Sequence, residues 1–220
     1  MLAGIRAVIF DLDGTLLDRH RSFERFVRDQ WGRFAESLGP VSQDDYANTL
    51  IELDREGYGP RRGLFAGTVA RFGLPAALAD TLRSDFRAEF ARACVLFSDA
   101  VQTLAALRAA GFRLGLITNG SVRMQSSKLE RLKLPPLFDT ILISDAEGVS
   151  KPEPEIFRRA LERLGVEAAQ ACYVGNHPDI DVAGAKAAGL RAVWRRDPFF
   201  EPPVAADAVI DAVGDLLIGV

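Results

Sequence analysis

The sequence is poor in the features that would place it fastest. It has two cysteines, two histidines, two tryptophans and three tyrosines in 220 residues. Cys94 and Cys172 lie far apart and in no metal-ligand spacing, which excludes a disulfide framework or a zinc cluster and predicts reduced thiols in a cytoplasmic protein. No apolar run is long. The N-terminal one, Ala7-Val8-Ile9-Phe10, follows Arg6 and stops at Asp11, too short for a secretory signal or a membrane span. No charge of one sign dominates: the formal net charge is -3, so there is no electrostatic footprint for nucleic acid and no polybasic membrane patch. Internal repeats and low-complexity tracts are missing too. What is present is ordinary for a globular chain, 48% hydrophobic and 26% charged residues. Its length suits one good core plus a small inserted or appended domain.

The texture changes twice along the chain. Residues 6–10 are apolar and rich in β-branched side chains, as in a strand buried on both faces. From about Arg21 to Arg92 the pattern is charged, aromatic and helical. Phe23, Phe26, Val27, Gln30, Trp31 and Phe34 form a stripe at helical spacing, which Gly39-Pro40 ends; Trp31 and the phenylalanines are expected in a bundle core. Ser42 caps a second helix to about Glu56. Gly57 to Gly63, GYGPRRG, is a flexible basic loop, and helices over 64–72 and 76–93 follow. After Val95 strands return at 112–117, 140–143, 171–174, 190–194 and 208–210. Between them helices are expected over 100–110, 122–132, 154–164 and from about Pro178 to Ala188. Strands alternating with helices predict an α/β fold, a parallel sheet covered on both faces and interrupted early by a helical insert.

Polar residues gather where strands end. Asp11 and Asp13 follow the first, Thr118-Asn119-Gly120 the second, Ser144-Asp145 the third with Ser150-Lys151-Pro152 beyond it, and Gly175-Asn176 the fourth. In an open parallel sheet, ligands sit outside the carboxyl ends of the strands. A buried acid without a partner is costly, so acids at a strand end predict a cation there. The segments DLDGT, TNG, SKPEPEIF and VGNHPDIDVAGA resemble, in order and spacing, the four motifs of the haloacid dehalogenase-like (HAD) hydrolase superfamily. Any one of them is weak; the four together are specific and cover the whole core. The insert resembles the family's small α-helical (C1) cap. The resemblance implies a Rossmann-like parallel core, residues 1–17 and 96–220, with a helical cap over 18–95. It also implies a Mg²⁺-dependent phosphomonoester hydrolase that acts on a small phosphorylated metabolite through an aspartyl phosphate, as a monomer or homodimer.

Under that resemblance Asp11 is the nucleophile and a metal ligand. Asp13 lends its carbonyl to the metal, while its side chain protonates the leaving oxygen and later activates water. Thr118, Asn119 and Gly120 hold phosphoryl oxygens, Lys151 neutralises charge, and Asp181 and Asn176 complete the metal shell. The chemistry is coherent. A carboxylate attacking phosphorus splits one hard displacement into two easier ones. The anionic phosphoryl group repels it unless a cation screens the approach, and an oxygen-only site suits Mg²⁺. Recognition of the rest of the substrate falls to the cap, where Arg61 and Arg62 are candidate contacts or else solvated loop charges. His177 is expected beside the site, not as a ligand or base.

One position departs from the pattern. The family usually has an acid where this chain has Asn176, which removes a negative charge from the shell; Asp179 is a nearby acid that could restore it. Other readings stay open. Dehalogenases of the superfamily carry Asn or Ser near the fourth motif but do not need the second acid, so Asp13 argues for phosphoryl chemistry. A phosphomutase would need a cap that excludes water. A non-catalytic binding protein with a decayed metal site is the reading from outside enzymology.

Overall fold

The computed structural model describes residues 2–59, 63–203 and 205–218; Arg61 and Arg62, the candidate substrate contacts, lie outside them. The chain divides into two compact units, Met1–Asp18 with Leu96–Val220, and Arg19–Val95. The strands are β1 (Ala7–Phe10), β2 (Arg113–Thr118), β3 (Thr140–Ile143), β4 (Ala171–Gly175), β5 (Arg191–Arg195) and β6 (Ala208–Ile210), all in the first unit. The helices of the inserted unit are α1 (Arg19–Arg33), α2 (Ala35–Leu38), α3 (Gln43–Asp54), α4 (Leu64–Arg71) and α5 (Leu78–Ala93). Those of the first unit are α6 (Ala100–Ala109), α7 (Val122–Arg131), α8 (Ser144–Glu147), α9 (Pro154–Leu164) and α10 (Gly184–Ala187). Among the described residues no helix is long and apolar enough to cross a membrane. Cys94 and Cys172 are buried and form no disulfide.

The six strands form one parallel sheet in the order β3-β2-β1-β4-β5-β6. All four residues of β1 are fully buried, as its uninterrupted apolar run requires. Successive side chains of a strand point to opposite faces. Ala7 and Ile9 therefore join Ile117 and Tyr173 in a core with Ile156, Phe157 and Ala160 of α9 and Ala185 of α10, while Val8 and Phe10 are buried on the other side. The strand order reverses at β1, which lies between β2 and β4, and at such a switch point a crevice opens beyond the strand ends. Asp11 leaves β1 there, its N–H donating to the Val174 carbonyl of β4 at 2.9 Å.

Among the described residues the inserted unit contains helices and no strand, as its period predicts. Ser42 caps α3 by accepting from the Asp45 N–H at 3.1 Å. Phe23, Phe26, Phe86 and Phe90 form an aromatic cluster, with Phe26 and Phe86 at 5.2 Å and nearly perpendicular. The helical stripe does not continue through Phe34: that residue leaves helical geometry at φ -115° and ψ 17°, so α1 ends before α2 begins. Gln30, which sits on the apolar stripe, is fully buried and satisfied. It donates to the Leu82 carbonyl at 2.9 Å and to Asp85 at 2.8 Å, and accepts from the Tyr46 hydroxyl at 2.7 Å. Gln30→Leu is expected to leave the buried Tyr46 hydroxyl without that partner, at about 1–3 kcal/mol, while the Leu82 carbonyl keeps its bond in the α5 ladder. The measurement is the urea midpoint; an unchanged midpoint would mean that water reaches the cluster.

Candidate active site

The carboxyl ends of β1, β2 and β4 bring their polar groups to one place. Lys151, in the loop between α8 and α9, is almost fully buried, and its ammonium sits between two carboxylates. It donates to Asp11 Oδ1 at 2.5 Å, to Asp181 Oδ1 at 2.7 Å and to the Tyr173 hydroxyl at 2.8 Å. Burial pushes the Asp11 carboxyl up to about 7; the Lys151 ammonium opposes this and Asp181 adds to it. Burial also works against the Lys151 charge, but the two carboxylates outweigh it and raise its pKa above the usual lysine value. The lysine therefore remains protonated between them.

The loop that carries Lys151 is tied to the end of β2. The Asn119 side chain donates through Nδ2 to the Lys151 carbonyl at 2.9 Å and accepts the Lys151 N–H at 3.0 Å. The Gly120 N–H donates to Ser144 Oγ at 2.9 Å. Asp181, expected in the metal shell, is committed elsewhere: besides Lys151, its Oδ1 accepts from the Tyr173 hydroxyl at 3.2 Å, and its Oδ2 accepts the His177 N–H at 3.0 Å. Gly175 permits this approach, because a Cβ there would run into the Asp181 carboxyl.

Asp13 meets α7. Its carboxylate receives the Lys128 ammonium at 2.7 and 2.8 Å and Gln125 Nε2 at 3.0 Å. Gln125 also donates to Thr118 Oγ1, so the threonine keeps its own proton to give. Both α7 residues are buried. Their signal was in the sequence: Gln125 and Lys128 stand three apart on the face that carries Leu129, where apolar residues are expected. Tyr173 gave no signal, since it alternates correctly in an apolar strand.

Around the ends of β1 and β4 the donors are all oxygen. Thr15 Oγ1 lies 3.5 Å from Asp11 Oδ2 and 3.4 Å from Asn176 Oδ1, so both oxygens face one hydroxyl. Gly14, at φ +85°, carries no Cβ where the Asn176 amide packs. One carboxylate with neutral oxygens fits Mg²⁺, which takes few protein ligands and keeps water or substrate oxygens. Among the described residues no three acidic, histidine or cysteine groups form a cage by themselves. The acid beside Asn176 is not Asp179, which is exposed, but Asp197, whose Oδ2 accepts from Asn176 Nδ2 at 2.7 Å. His177 caps the wide π-type turn Pro178–Ala183, its Nδ1 accepting the Asp179 and Ile180 N–H groups, and burial lowers its pKa.

The haloacid dehalogenase-like hydrolase family pattern matches residues 5–189. The glyceraldehyde 3-phosphate phosphatase of Pyrococcus abyssi is 34% identical over 196 residues, which are 86% of this chain and 81% of that protein. Among solved structures, the HAD-hydrolase YfnB of Bacillus subtilis, bound to magnesium, is 25% identical with a TM-score of 0.79 over 96% of both chains. A 2-haloacid dehalogenase from Pseudomonas syringae pv. Tomato is 30% identical with a TM-score of 0.62, again over 96% of both chains. With its motif residues brought together beyond one parallel sheet and the match spanning most of its length, the chain belongs to the haloacid dehalogenase-like hydrolases.

Proposed function

We propose that the chain is a Mg²⁺-dependent phosphomonoester hydrolase acting on a small phosphorylated metabolite. The observation that carries this is Asp13, a second acid held beside Asp11 by two buried α7 side chains. Asp11 attacks phosphorus, and the bond to the ester oxygen breaks as Asp13, protonated in the substrate complex, gives that oxygen its proton; the carboxylate left behind pairs with Lys128. Water then attacks the aspartyl phosphate and loses a proton to Asp13; the bond between phosphorus and Asp11 breaks and phosphate leaves. Thr118, with its free proton, and the Asn119 N–H bind phosphoryl oxygens. Lys151 offsets charge on Asp11 and on the transferred group, and Asp181 and Tyr173 hold it there. Asp11, the Asp13 carbonyl and Asn176 Oδ1 would hold Mg²⁺, which screens the approach of two anions when bound.

The likeness to the Pyrococcus enzyme makes glyceraldehyde 3-phosphate the first substrate to assay. Asn176 and the likeness to a dehalogenase favour a second reading, 2-haloacid hydrolysis. Release of phosphate from a panel of phosphorylated metabolites, and of halide from 2-haloacids, separates the two. Phosphate release is expected to stop on chelation with EDTA and to return with added Mg²⁺. Full activity after exhaustive chelation would remove the metal from the mechanism.

If α7 aims Asp13 at the leaving oxygen, Lys128→Met lowers kcat by about 10–100-fold, part of the 10²–10⁴ that acid–base catalysis supplies, and moves KM little. The loss is larger for alkyl phosphates than for p-nitrophenyl phosphate, whose leaving group needs no proton. Equal losses in kcat/KM, which reports only the transfer that expels the leaving group, would show that Lys128 serves the fold and not proton donation to that group.

A further inference from the structure

Resting on the reading of Asn176 Oδ1 as a donor to Mg²⁺, we infer that Asp197 is a positioning residue: it fixes which end of the Asn176 amide faces the metal site. An amide has two ends of nearly equal size and opposite chemistry, and only the oxygen can bind a cation. An ionised carboxylate only accepts hydrogen bonds, so it pairs with the NH₂ end and turns the oxygen the other way. In this structure Asp197 Oδ2 takes Asn176 Nδ2 at 2.7 Å, and Oδ1 of the same amide points at Thr15, beside Asp11.

Both partners are anchored. The Asn176 carbonyl accepts the indole N–H of buried Trp194 at 2.6 Å, which holds the main chain. Asp197 Oδ1 accepts the Phe199 N–H at 2.9 Å, its carbonyl accepts the Phe200 N–H at 3.1 Å, and the Phe200 ring lies 4.5 Å from the His177 ring. The carboxylate thus approaches the amide from the end of β5 on a fixed loop. A charge-assisted hydrogen bond also polarises the amide and makes its oxygen a better donor. The acid missing at position 176 is displaced to the far side of the amide, and Asn176 relays its influence to the metal.

The geometry has a consequence opposite to simple restoration of the acid. Asn176→Asp alone sets two carboxylates against each other where the protein has a hydrogen bond. The test is Mg²⁺ calorimetry together with the Tm of metal-free protein, for wild type, Asp197→Asn, Asn176→Asp, the exchange variant Asn176→Asp/Asp197→Asn, and Phe200→Ala. Asp197→Asn is expected to weaken Mg²⁺ binding about 10-fold or more, the usual size of an effect exerted through a ligand's partner. Asn176→Asp is expected to lower the metal-free Tm. The exchange variant is expected to recover that Tm and to bind Mg²⁺ more tightly than wild type. Phe200→Ala loosens the loop that aims Asp197; it should lower Tm and weaken Mg²⁺ binding less than Asp197→Asn does, because the carboxylate itself remains.

Wild-type affinity in Asp197→Asn, an unchanged metal-free Tm in Asn176→Asp, or a Phe200→Ala defect as large as that of Asp197→Asn would each overturn the assignment. Absence of Mg²⁺ binding in the wild-type control would instead bring down the metal reading of the whole site, and this inference with it.

Discussion

Asn in place of Asp11 leaves a folded protein whose phosphate release falls by roughly four orders of magnitude or more. An amide of nearly the same shape cannot form the bond to phosphorus. It can still accept from Lys151 through its oxygen, in the slot where Asp11 Oδ1 now lies 2.5 Å from the ammonium. The fold should tolerate the change, because Asp11 is an acid that burial pushes toward its neutral form. The check pairs phosphate release with Tm and circular dichroism. Near wild-type turnover in the variant would exclude the covalent route.

Removing Lys151 should be worse for the fold. Lys151→Met leaves Asp11 and Asp181 facing each other in a buried space with the ammonium gone. Breaking a buried ion pair by deleting one partner costs about 3–5 kcal/mol, since the other charge is left uncompensated. Turnover is lost as well, because nothing offsets the charge on Asp11 and the phosphoryl group. Lys151→Arg should not rescue, as the larger planar guanidinium does not fit a slot shaped for a point charge. Adding Asp181→Asn to Lys151→Met removes one of the two stranded charges and should recover part of the stability. Urea unfolding of the single and double variants measures that coupling. Strict additivity would mean that the lysine and Asp181 do not share one network.

The sequence by itself determined the sheet, its interruption and the polar residues at the strand ends. An apolar run buried on both faces has few structural solutions, and β3, β6 and α9 begin and end where their patterns do. Asp11, Asp13, Thr118, Lys151 and Asn176 were legible for the same reason: polar groups at the ends of buried strands are costly unless they serve a site. The tertiary structure alone decided the pairing among them. Asp13 meets Lys128 and Gln125 across more than a hundred residues, Tyr173 meets Lys151 from an ordinary strand position, and Asp197, not the sequence neighbour Asp179, meets Asn176. Hydrophobic periodicity records which face of an element is buried. It carries no record of which two polar groups the crossovers of a parallel sheet bring within three ångströms, because that depends on strand order and on loops whose ends are distant in sequence.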